Sequence, residues 1–404
     1  MLRKSLSAWS RAAVIVGTLI LVNASWAASK EKVLYRFTGR NDGGQPVAKL
    51  IFDKSGNLYG TTANGGAHNA GAVFKLAPSN GGWKETVLHS FTGGIDGAYP
   101  LADLIFDNAG KLYGTAAQGG ADGFGVIFEL APNSGGGWTE VVLHSFTGPG
   151  SDGARPVAGL IFDDKGNLYG TTESGGGSSG GAAFEVEHSG GGWSESELFQ
   201  FYSYGLYPLA GLLIDKAGNL YGTAALGGAG GHGTVYQATL TNGNWVQTEL
   251  YGFTGGSDGD FPGYGRLILD KAGNLYGTTE QGGANAAGTV FELTPKNGGW
   301  TEAVLYGFTG DADGGRPLSG LVFDRTGHLY GTTHQGGPGG YGTVFELTPK
   351  SGSGWTERVL HSFTGRLDGA YPIAGVVLDN KGRLYGTTPY GGKNNAGVVF
   401  MVEP

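Results

Sequence analysis

The chain has 404 residues, of which 82 are glycine and none is cysteine, and its formal net charge at pH 7 is −8. The glycines do not recur at every third position, which excludes collagen, and 12% aromatic residues are too many for a disordered chain. The lack of cysteine excludes disulfides, thiolate metal sites and a cysteine nucleophile.

The N-terminal segment has the pattern of a secretory signal peptide. Three basic residues precede or border an apolar run at positions 12–22, and Ser25 and Ala27 are small enough for a signal peptidase. The run is shorter than the about 20 apolar residues that a membrane-spanning helix needs. We therefore expect residues 1–27 to be removed near Ala27, leaving a secreted protein, extracellular or periplasmic, without a membrane span.

The charge of the mature chain bears on its partners. Residues 28–404 hold 23 Lys and Arg against 34 Asp and Glu, a net charge of about −11. Such a charge argues against nucleic acid and against an anionic membrane surface as binding partners.

A repeat of about 55 residues organises the mature chain. The string Leu-Tyr-Gly-Thr, followed by Thr or Ala, occurs seven times at intervals of 52 to 56 residues, with its tyrosine at Tyr59, Tyr113, Tyr169, Tyr221, Tyr276, Tyr330 and Tyr385. Each unit also contains close variants of Pro-x-x-Gly-Leu-Ile-Phe-Asp, Gly-Gly, Gly-x-Val-Phe, Trp-x-Glu and Phe-Thr-Gly. Repeats of this period are typical of propellers and solenoids.

Within each unit the pattern predicts four short strands. In the first unit these are residues 50–52, 58–62, 72–76 and 85–91, separated by turns rich in glycine. Gly60 interrupts the second strand, and we interpret it as a close approach of the strand backbone to a neighbouring sheet. No segment after the N-terminal apolar run has helical periodicity, so the predicted fold class is all-β.

Seven four-stranded units predict a seven-bladed β-propeller of antiparallel blades, formed as one domain by residues 28–404. Residues 33–39 match the fourth strand of the repeat but precede the first unit, and the last unit stops after a third strand at 398–403. We predict that an N-terminal strand, about residues 32–37, completes the last blade and closes the ring.

These motifs resemble the GloVer tandem-repeat family of exported bacterial proteins, and the Pro-x-Gly-Leu half of the unit is similar to NHL-type propeller repeats. The resemblance covers almost the whole mature chain in seven copies. It implies export and a repeat fold, and it brings no catalytic residue that could be assigned here.

Loop residues that differ between repeats are candidates for ligand binding, because loops on a rigid scaffold concentrate binding groups. The residue before the first-strand proline is such a position, and we expect its seven copies to surround the mouth of the central channel: Gln45, Tyr99, Arg155, Tyr207, Phe261, Arg316 and Tyr371. Aromatic rings stack on sugars, and two guanidinium groups could bind a ligand carboxylate. The alternative is that these side chains pack over adjacent blades and pair with loop aspartates.

A second variable position follows the Leu-Tyr-Gly-Thr string and supplies Glu173, Glu280, His334 and Tyr390. A hydrolase or lyase would need such an acid and base on one substrate bond, with carboxylates roughly 5 to 9.5 Å apart in glycoside hydrolysis. Glu173 and Glu280 are two blades apart, which could exceed that distance, and solvated loop carboxylates are the alternative. We therefore assign no catalytic residue.

Recurrent acidic and histidine positions are interpreted as structural. An Asp-Gly pair precedes the first strand in every unit except the fourth, and one carboxylate per blade does not supply the six to eight oxygens of a calcium site. Turn formation explains it better. His89, His144 and His361 share one outer-strand position and lack the spacing of a metal cluster, so we predict no metal and no cofactor.

Three functional hypotheses remain open. The leading one is an exported, non-enzymatic and monomeric propeller scaffold that binds carbohydrate, or another exported or surface protein, through its loop face. The second is a carbohydrate-active hydrolase or lyase using acidic, Tyr, His or Arg groups at the channel mouth. The third is a structural cell-surface repeat protein without a small ligand.

Overall fold

The structure, a computed structural model, describes residues 30–177, 179–202, 205–352 and 354–404. These residues form seven four-stranded antiparallel sheets, the blades of a β-propeller, as the sequence predicts. In this part of the chain there is no helix that is long and apolar enough to cross a membrane. The predicted signal peptide at residues 1–27 lies outside the described residues.

Each blade runs from a short inner strand to a long outer one. The inner strands are β2 (Ile51–Phe52), β6 (Ile105–Phe106), β10 (Ile161–Phe162), β14 (Leu213–Ile214), β18 (Ile268–Leu269), β22 (Val322–Phe323) and β26 (Val377–Leu378). The second strands are β3 (Leu58–Thr62), β7 (Leu112–Ala116), β11 (Leu168–Thr172), β15 (Leu220–Ala224), β19 (Leu275–Thr279), β23 (Leu329–Thr333) and β27 (Leu384–Thr388).

The third strands are β4 (Ala72–Ser79), β8 (Val126–Pro132), β12 (Ala182–Ser189), β16 (Thr234–Thr241), β20 (Thr289–Lys296), β24 (Thr343–Pro349) and β28 (Val398–Glu403). The outer strands are β5 (Gly82–Ser90), β9 (Trp138–Ser145), β13 (Gly192–Gln200), β17 (Asn244–Gly252), β21 (Gly299–Gly307), β25 (Trp355–Ser362) and β1 (Lys30–Arg36).

The second strand of each blade is buried along its whole length, and its glycine has a packing role. In the first blade Gly60 is paired with Phe74, and a Cβ atom at residue 60 would lie 2.9 Å from both Leu50 Cδ2 and Phe74 Cζ. The interpretation of Gly60 as a close approach of the backbone to a neighbouring sheet is therefore wrong. Two side chains of its own blade occupy the space that a Cβ would need.

The core lies between adjacent blades. In the described part of the chain it divides into seven clusters, each of which combines residues from two neighbouring blades. In one of them Tyr59, Val73 and Phe91 pack with Leu112 and Phe128, and the rings of Phe91 and Phe128 meet edge to face at 5.2 Å. Because no blade has a complete core of its own, each depends on its neighbours for stability.

Hydrogen bonds also join the blades. In six of the seven junctions of the described ring, a second-strand threonine donates its hydroxyl to a carbonyl oxygen of the next blade at 3.0–3.3 Å. These pairs are Thr61 with Ala102, Thr115 with Ala158, Thr171 with Pro208, Thr278 with Ser319, Thr332 with Ala374, and Thr387 with Ala48.

The termini close the ring in one shared blade. Strand β1 pairs antiparallel with β28 from Lys30 opposite Glu403 to Arg36 opposite Val398. This confirms the predicted closure, with a strand that begins two residues earlier than predicted. Phe37, directly after β1, is fully buried and packs against Phe74 of the first blade at 5.1 Å.

The repeated aspartates form turns, as predicted. At the first hairpin, Asp53 Oδ1 accepts hydrogen bonds from the backbone N–H groups of Ser55 and Asn57, both at 2.9 Å, and Tyr59 donates its hydroxyl to Oδ2. Burial acts to raise the pKa of Asp53, but the hydrogen bonds from Asn57 and Tyr59 lower it below its ordinary value. In the Asp-Gly turn, Asp42 accepts from the Thr38 N–H in the same way.

Candidate functional site

The fifth unit departs from the repeat at the central channel. Pro262 and Asp270 are eight positions apart, whereas the corresponding residues of every other unit, such as Pro46 and Asp53, are seven apart. The extra residue coincides with the loss of one inter-blade hydrogen bond, because the buried Oγ1 of Thr223 has no partner among the described residues. The fifth blade thus gives up a contact that the other junctions keep.

A cavity of about 540 Å³ occupies the centre of the ring. At one end it is lined by Arg155, Glu173 and Tyr264, and at the other it extends to the inner-strand residues Ile51 and Ile105. The side chain of Arg155 is 46% exposed and Tyr264 is 43% exposed, so the cavity opens to solvent at this end. Its volume is in the usual range for small-molecule sites.

The seven predicted residues before the first-strand proline share an unusual backbone. All have positive φ, between 54° and 63°, although none is glycine. Their backbone groups bridge blades; in Arg316, for example, the N–H donates to Ala287 and the C=O accepts from His334. Positive φ destabilises a non-glycine residue by about 1–2 kcal/mol, so the hydrogen bonds between blades hold these residues in this conformation.

Both predicted arginines are ion-paired, and their partners are the predicted glutamates rather than loop aspartates. Arg155 Nε donates to Glu173 Oε2 at 2.9 Å within the third blade, and Arg316 Nη2 pairs with Glu280 Oε1 across the junction of the fifth and sixth blades. Each guanidinium therefore already holds a carboxylate, and each glutamate already has a cationic partner.

Tyr264, which the sequence analysis missed, interacts electrostatically with members of both ion pairs. Burial raises its pKa, and the negative charges of Glu280 and Glu173 raise it further, while Arg316 opposes them. Both glutamates are therefore close to one phenol. The unequal spacing of the fifth unit was the signal in the sequence that could have identified this residue.

Aromatic side chains continue the site beyond Arg316. The ring of His334 lies 5.3 Å from that of Tyr371, which in turn contacts the rings of Tyr341 at 5.3 Å and Tyr390 at 6.2 Å. Burial lowers the pKa of His334, and the neighbouring charge of Arg316 lowers it further. Tyr341 is the second residue that sequence reasoning did not find.

Contacts and electrostatic interactions link these residues into one group, which we call the loop-face arc. It consists of Arg155, Glu173, Tyr264, Glu280, Arg316, His334, Tyr341, Tyr371 and Tyr390. Of the remaining predicted residues, Phe261 has its ring 6.0 Å from that of Tyr264 in a tilted arrangement, and Gln45 forms a hydrogen bond with Asn64. Tyr99 and Tyr207 are exposed at positions that lie outside these contacts. A ligand role for each of the predicted residues stays a prediction.

Comparison with known proteins identifies the family. The sequence model of the Gloeobacter/Verrucomicrobia repeat matches residues 16–148, 134–269 and 207–404. The chain belongs to this repeat family. Membership of the Gloeobacter/Verrucomicrobia repeat family confirms the resemblance drawn from the Leu-Tyr-Gly-Thr motifs. A search of curated proteins gave no match.

Solved structures add a likeness of fold alone to this member of the Gloeobacter/Verrucomicrobia repeat family. A candidate 6-phosphogluconolactonase from Bacteroides uniformis superposes with a TM-score of 0.51 at 15% identity, covering 78% of this chain and 83% of that one. A second candidate 6-phosphogluconolactonase, from Bacteroides fragilis, gives 0.51 at 14% identity over 81% and 85% of the two chains.

One cluster of this repeat protein has ligand atoms within metal-binding distance of one another. His144, Asp152 and Glu195 lie at the outer edge of the ring, with their ligand atoms within 4.8 Å. Asp152 Oδ1 already accepts from the Thr147 N–H and hydroxyl, and its Oδ2 lies 2.7 Å from His144 Nε2. A calcium ion would need more oxygens than this cluster offers. In this blade His144 makes the contact with aspartate that a tyrosine makes in other blades, such as Tyr35 with Asp42.

Proposed function

We propose that the protein is an exported binding scaffold whose loop-face arc binds a carbohydrate. The observation that carries the proposal is the composition of the arc. Two ion pairs and five aromatic side chains, supplied by the third, fifth, sixth and seventh blades, lie beside the opening of the central cavity. Exposed tyrosines offer flat faces to sugar rings, and charged groups fixed in pairs offer hydrogen bonds to hydroxyls.

The Arg–Glu pairs favour binding over catalysis. A general acid must hold a proton that it can give to the leaving group, and a nucleophile must be free to attack. In the arc, Glu173 and Glu280 are both engaged by guanidinium groups. The Arg316–Glu280 pair also joins two blades at the channel mouth, so a rigid, preformed surface is what these pairs provide best.

The experiment is a glycan and polysaccharide binding screen on the chain that begins at residue 28. We expect binding that is lost in Tyr371→Ala and kept in Tyr207→Ala. These two tyrosines are matched, since both precede a first-strand proline with φ of 56° and 57°, but Tyr371 alone contacts the arc. Equal loss in both variants would argue against the arc.

The same samples test the alternative functions. Release of reducing ends or unsaturated sugars, abolished by Glu173→Gln or Glu280→Gln, would replace the scaffold with a hydrolase or lyase. Because solved structures of similar fold are candidate 6-phosphogluconolactonases, hydrolysis of a sugar lactone is measured in parallel. A screen without any bound glycan would favour the structural role.

A further inference from the structure

Below the mouth of the cavity, before the inner-strand residues, lies a ring of one equivalent residue from each blade. The residue four positions before the hairpin aspartate borders the cavity in all seven units; we call this set the neck ring: Lys49, Asp103, Gly159, Gly211, Arg266, Gly320 and Gly375. Four blades use glycine and three use a charged residue. The neck ring thus departs from the repeat in three blades, each time with a charged residue.

Arg266 reaches across the channel from the fifth blade to the third. Its Nη2 donates to the carbonyl oxygens of Gly159 at 2.9 Å and Leu160 at 3.3 Å. Positions 159 and 211 require glycine. A Cβ at residue 159 would lie 2.9 Å from Arg266 Nη2, and a Cβ at residue 211 would collide with the guanidinium. Those two glycines make room for the arginine.

The guanidinium keeps unused hydrogen-bonding capacity. Its Nε is buried without a partner among the described residues, and Nη1 makes no hydrogen bond to any of them. Because Arg266 lines the cavity, a ligand in the cavity can meet this side chain. A guanidinium with free donors is the group that proteins use to hold carboxylates.

The charges of the neck ring do not balance. Asp103 Oδ1 accepts the backbone N–H of Lys49 at 2.8 Å, while the Lys49 ammonium has no acceptor within the described part of the chain. Two cations thus face one carboxylate. Burial lowers the pKa of Lys49, and Arg266 lowers it further, whereas Asp103 raises it. An anion in the cavity would relieve this excess of positive charge.

The wall above the neck ring is apolar. Six blades each contribute one aliphatic side chain to it: Val47, Leu101, Val157, Leu209, Leu318 and Ile373. In the fifth blade, the extra residue places Tyr264 at the mouth instead. A molecule that fits this cavity has an apolar body and a single negative charge at its inner end.

We propose that the neck ring binds the carboxylate of a small amphipathic acid. The carboxylate lies against Lys49 and Arg266, and the aliphatic wall surrounds the rest of the molecule. This site lies deeper in the cavity than Arg155, Glu173 and Tyr264 of the loop-face arc, and it does not depend on a carbohydrate binding there.

The test compares benzoate and octanoate with their neutral amides, benzamide and octanamide, by calorimetry on the chain that begins at residue 28. We expect both acids to bind at least about tenfold more tightly than the amides. Lys49→Met should weaken benzoate binding by about tenfold, because it removes a facing cation, and Asp103→Asn should tighten it, because it removes the competing carboxylate. Tyr371→Ala should leave benzoate binding unchanged.

Opposite effects of Lys49→Met and Asp103→Asn on benzoate affinity would distinguish a binding role of the neck ring from a purely structural one. Circular dichroism first confirms that both variants are folded, and neither change removes the Arg266 hydrogen bonds to Gly159 and Leu160. Amides that bind as well as the acids would overturn the proposal, as would a lack of binding by either acid at millimolar concentration. A change of affinity in the same direction in Lys49→Met and Asp103→Asn would also overturn it.

Discussion

Thr387 donates its hydroxyl to the carbonyl oxygen of Ala48 at 3.1 Å, although the two residues are 339 positions apart in the chain. The bond joins the last blade to the first and repeats the geometry of Thr61 with Ala102 at an internal junction. The closing junction is therefore built like the internal ones, and it should contribute to stability like them.

Replacing Phe37 measures how much the closing junction contributes to the stability of the ring. It is fully buried between the last and first blades, as Phe91 is between the first and second. Phe37→Ala and Phe91→Ala should each lower the free energy of unfolding by ~3–5 kcal/mol, because each leaves a cavity of the same shape. Denaturant unfolding measures both values. A much smaller cost for Phe37→Ala would mean that the closing junction is looser than the others.

Thr223 is the one second-strand threonine of the described ring whose buried hydroxyl has no partner, while Thr171 donates to Pro208 at 3.1 Å. Thr171→Val should cost about 1 kcal/mol by leaving the carbonyl without its donor. Thr223→Val should be neutral or stabilising, because it removes an unsatisfied polar group. Thermal unfolding of the pair compares them directly, and an equal loss in both would contradict the assignment.

Carboxyl pairs at the outer edge of the blades should make stability depend on pH. Burial raises the pKa of Glu85 from 4.5 to about 7, and the nearby charge of Asp42 adds to the effect. The same shift to about 7 occurs at Glu31, Glu140, Glu195, Glu302 and Glu357. The folded protein therefore binds protons that the unfolded chain releases between about pH 4.5 and 7, and the contribution of these groups to stability falls as pH rises through that range.

Glu85→Gln imitates the protonated form and tests one such pair, Glu85 with Asp42. The variant should be more stable than the wild type at about pH 8, and the difference should vanish towards about pH 4.5. Thermal midpoints across this range provide the measurement. The exposed Glu187 is the matched control, since Glu187→Gln should shift the midpoint little at any pH. A Glu85→Gln protein that is less stable at high pH would refute the explanation.

The sequence alone was sufficient to predict the ring. Strand β3 begins and ends where the Leu-Tyr-Gly-Thr-Thr string does. The pairing of β1 with β28 was predicted from a fourth-strand motif that precedes the first unit. Both predictions rest on local patterns that recur seven times. Repetition averages out the ambiguity that a single short strand would leave.

Contacts between distant positions were harder to predict. Gly60 was misinterpreted because strand pairing with Phe74, not the local sequence, decides what fills the space above it. The Asp42–Glu85 pair was missed, although the fourth unit loses both members together, with Tyr204 before Gly205 and Gln247 in place of the glutamate. A comparison of repeats for paired changes would have found it.

The candidate site was predictable in part. Arg155, Glu173, Glu280, Arg316, His334, Tyr371 and Tyr390 were chosen as variable loop residues, and the structure brings them into one arc. Lys49, Asp103 and Arg266 were not considered, because they precede a strand that was treated as wholly structural. The sequence shows that these three residues stand where the other four units have glycine. Only the folded ring, however, brings the three side chains together around a channel.

The central claim is that the fifth unit departs from the repeat for ligand binding and not for folding. The most direct test replaces Gly263-Tyr264-Gly265-Arg266 with Leu-Ala-Gly, the sequence of the fourth unit at this point, and measures the thermal midpoint with and without benzoate. We predict a midpoint at least equal to that of the wild type, because Thr223 regains an acceptor, and no shift on adding benzoate. A lower midpoint together with a retained benzoate shift would contradict the claim.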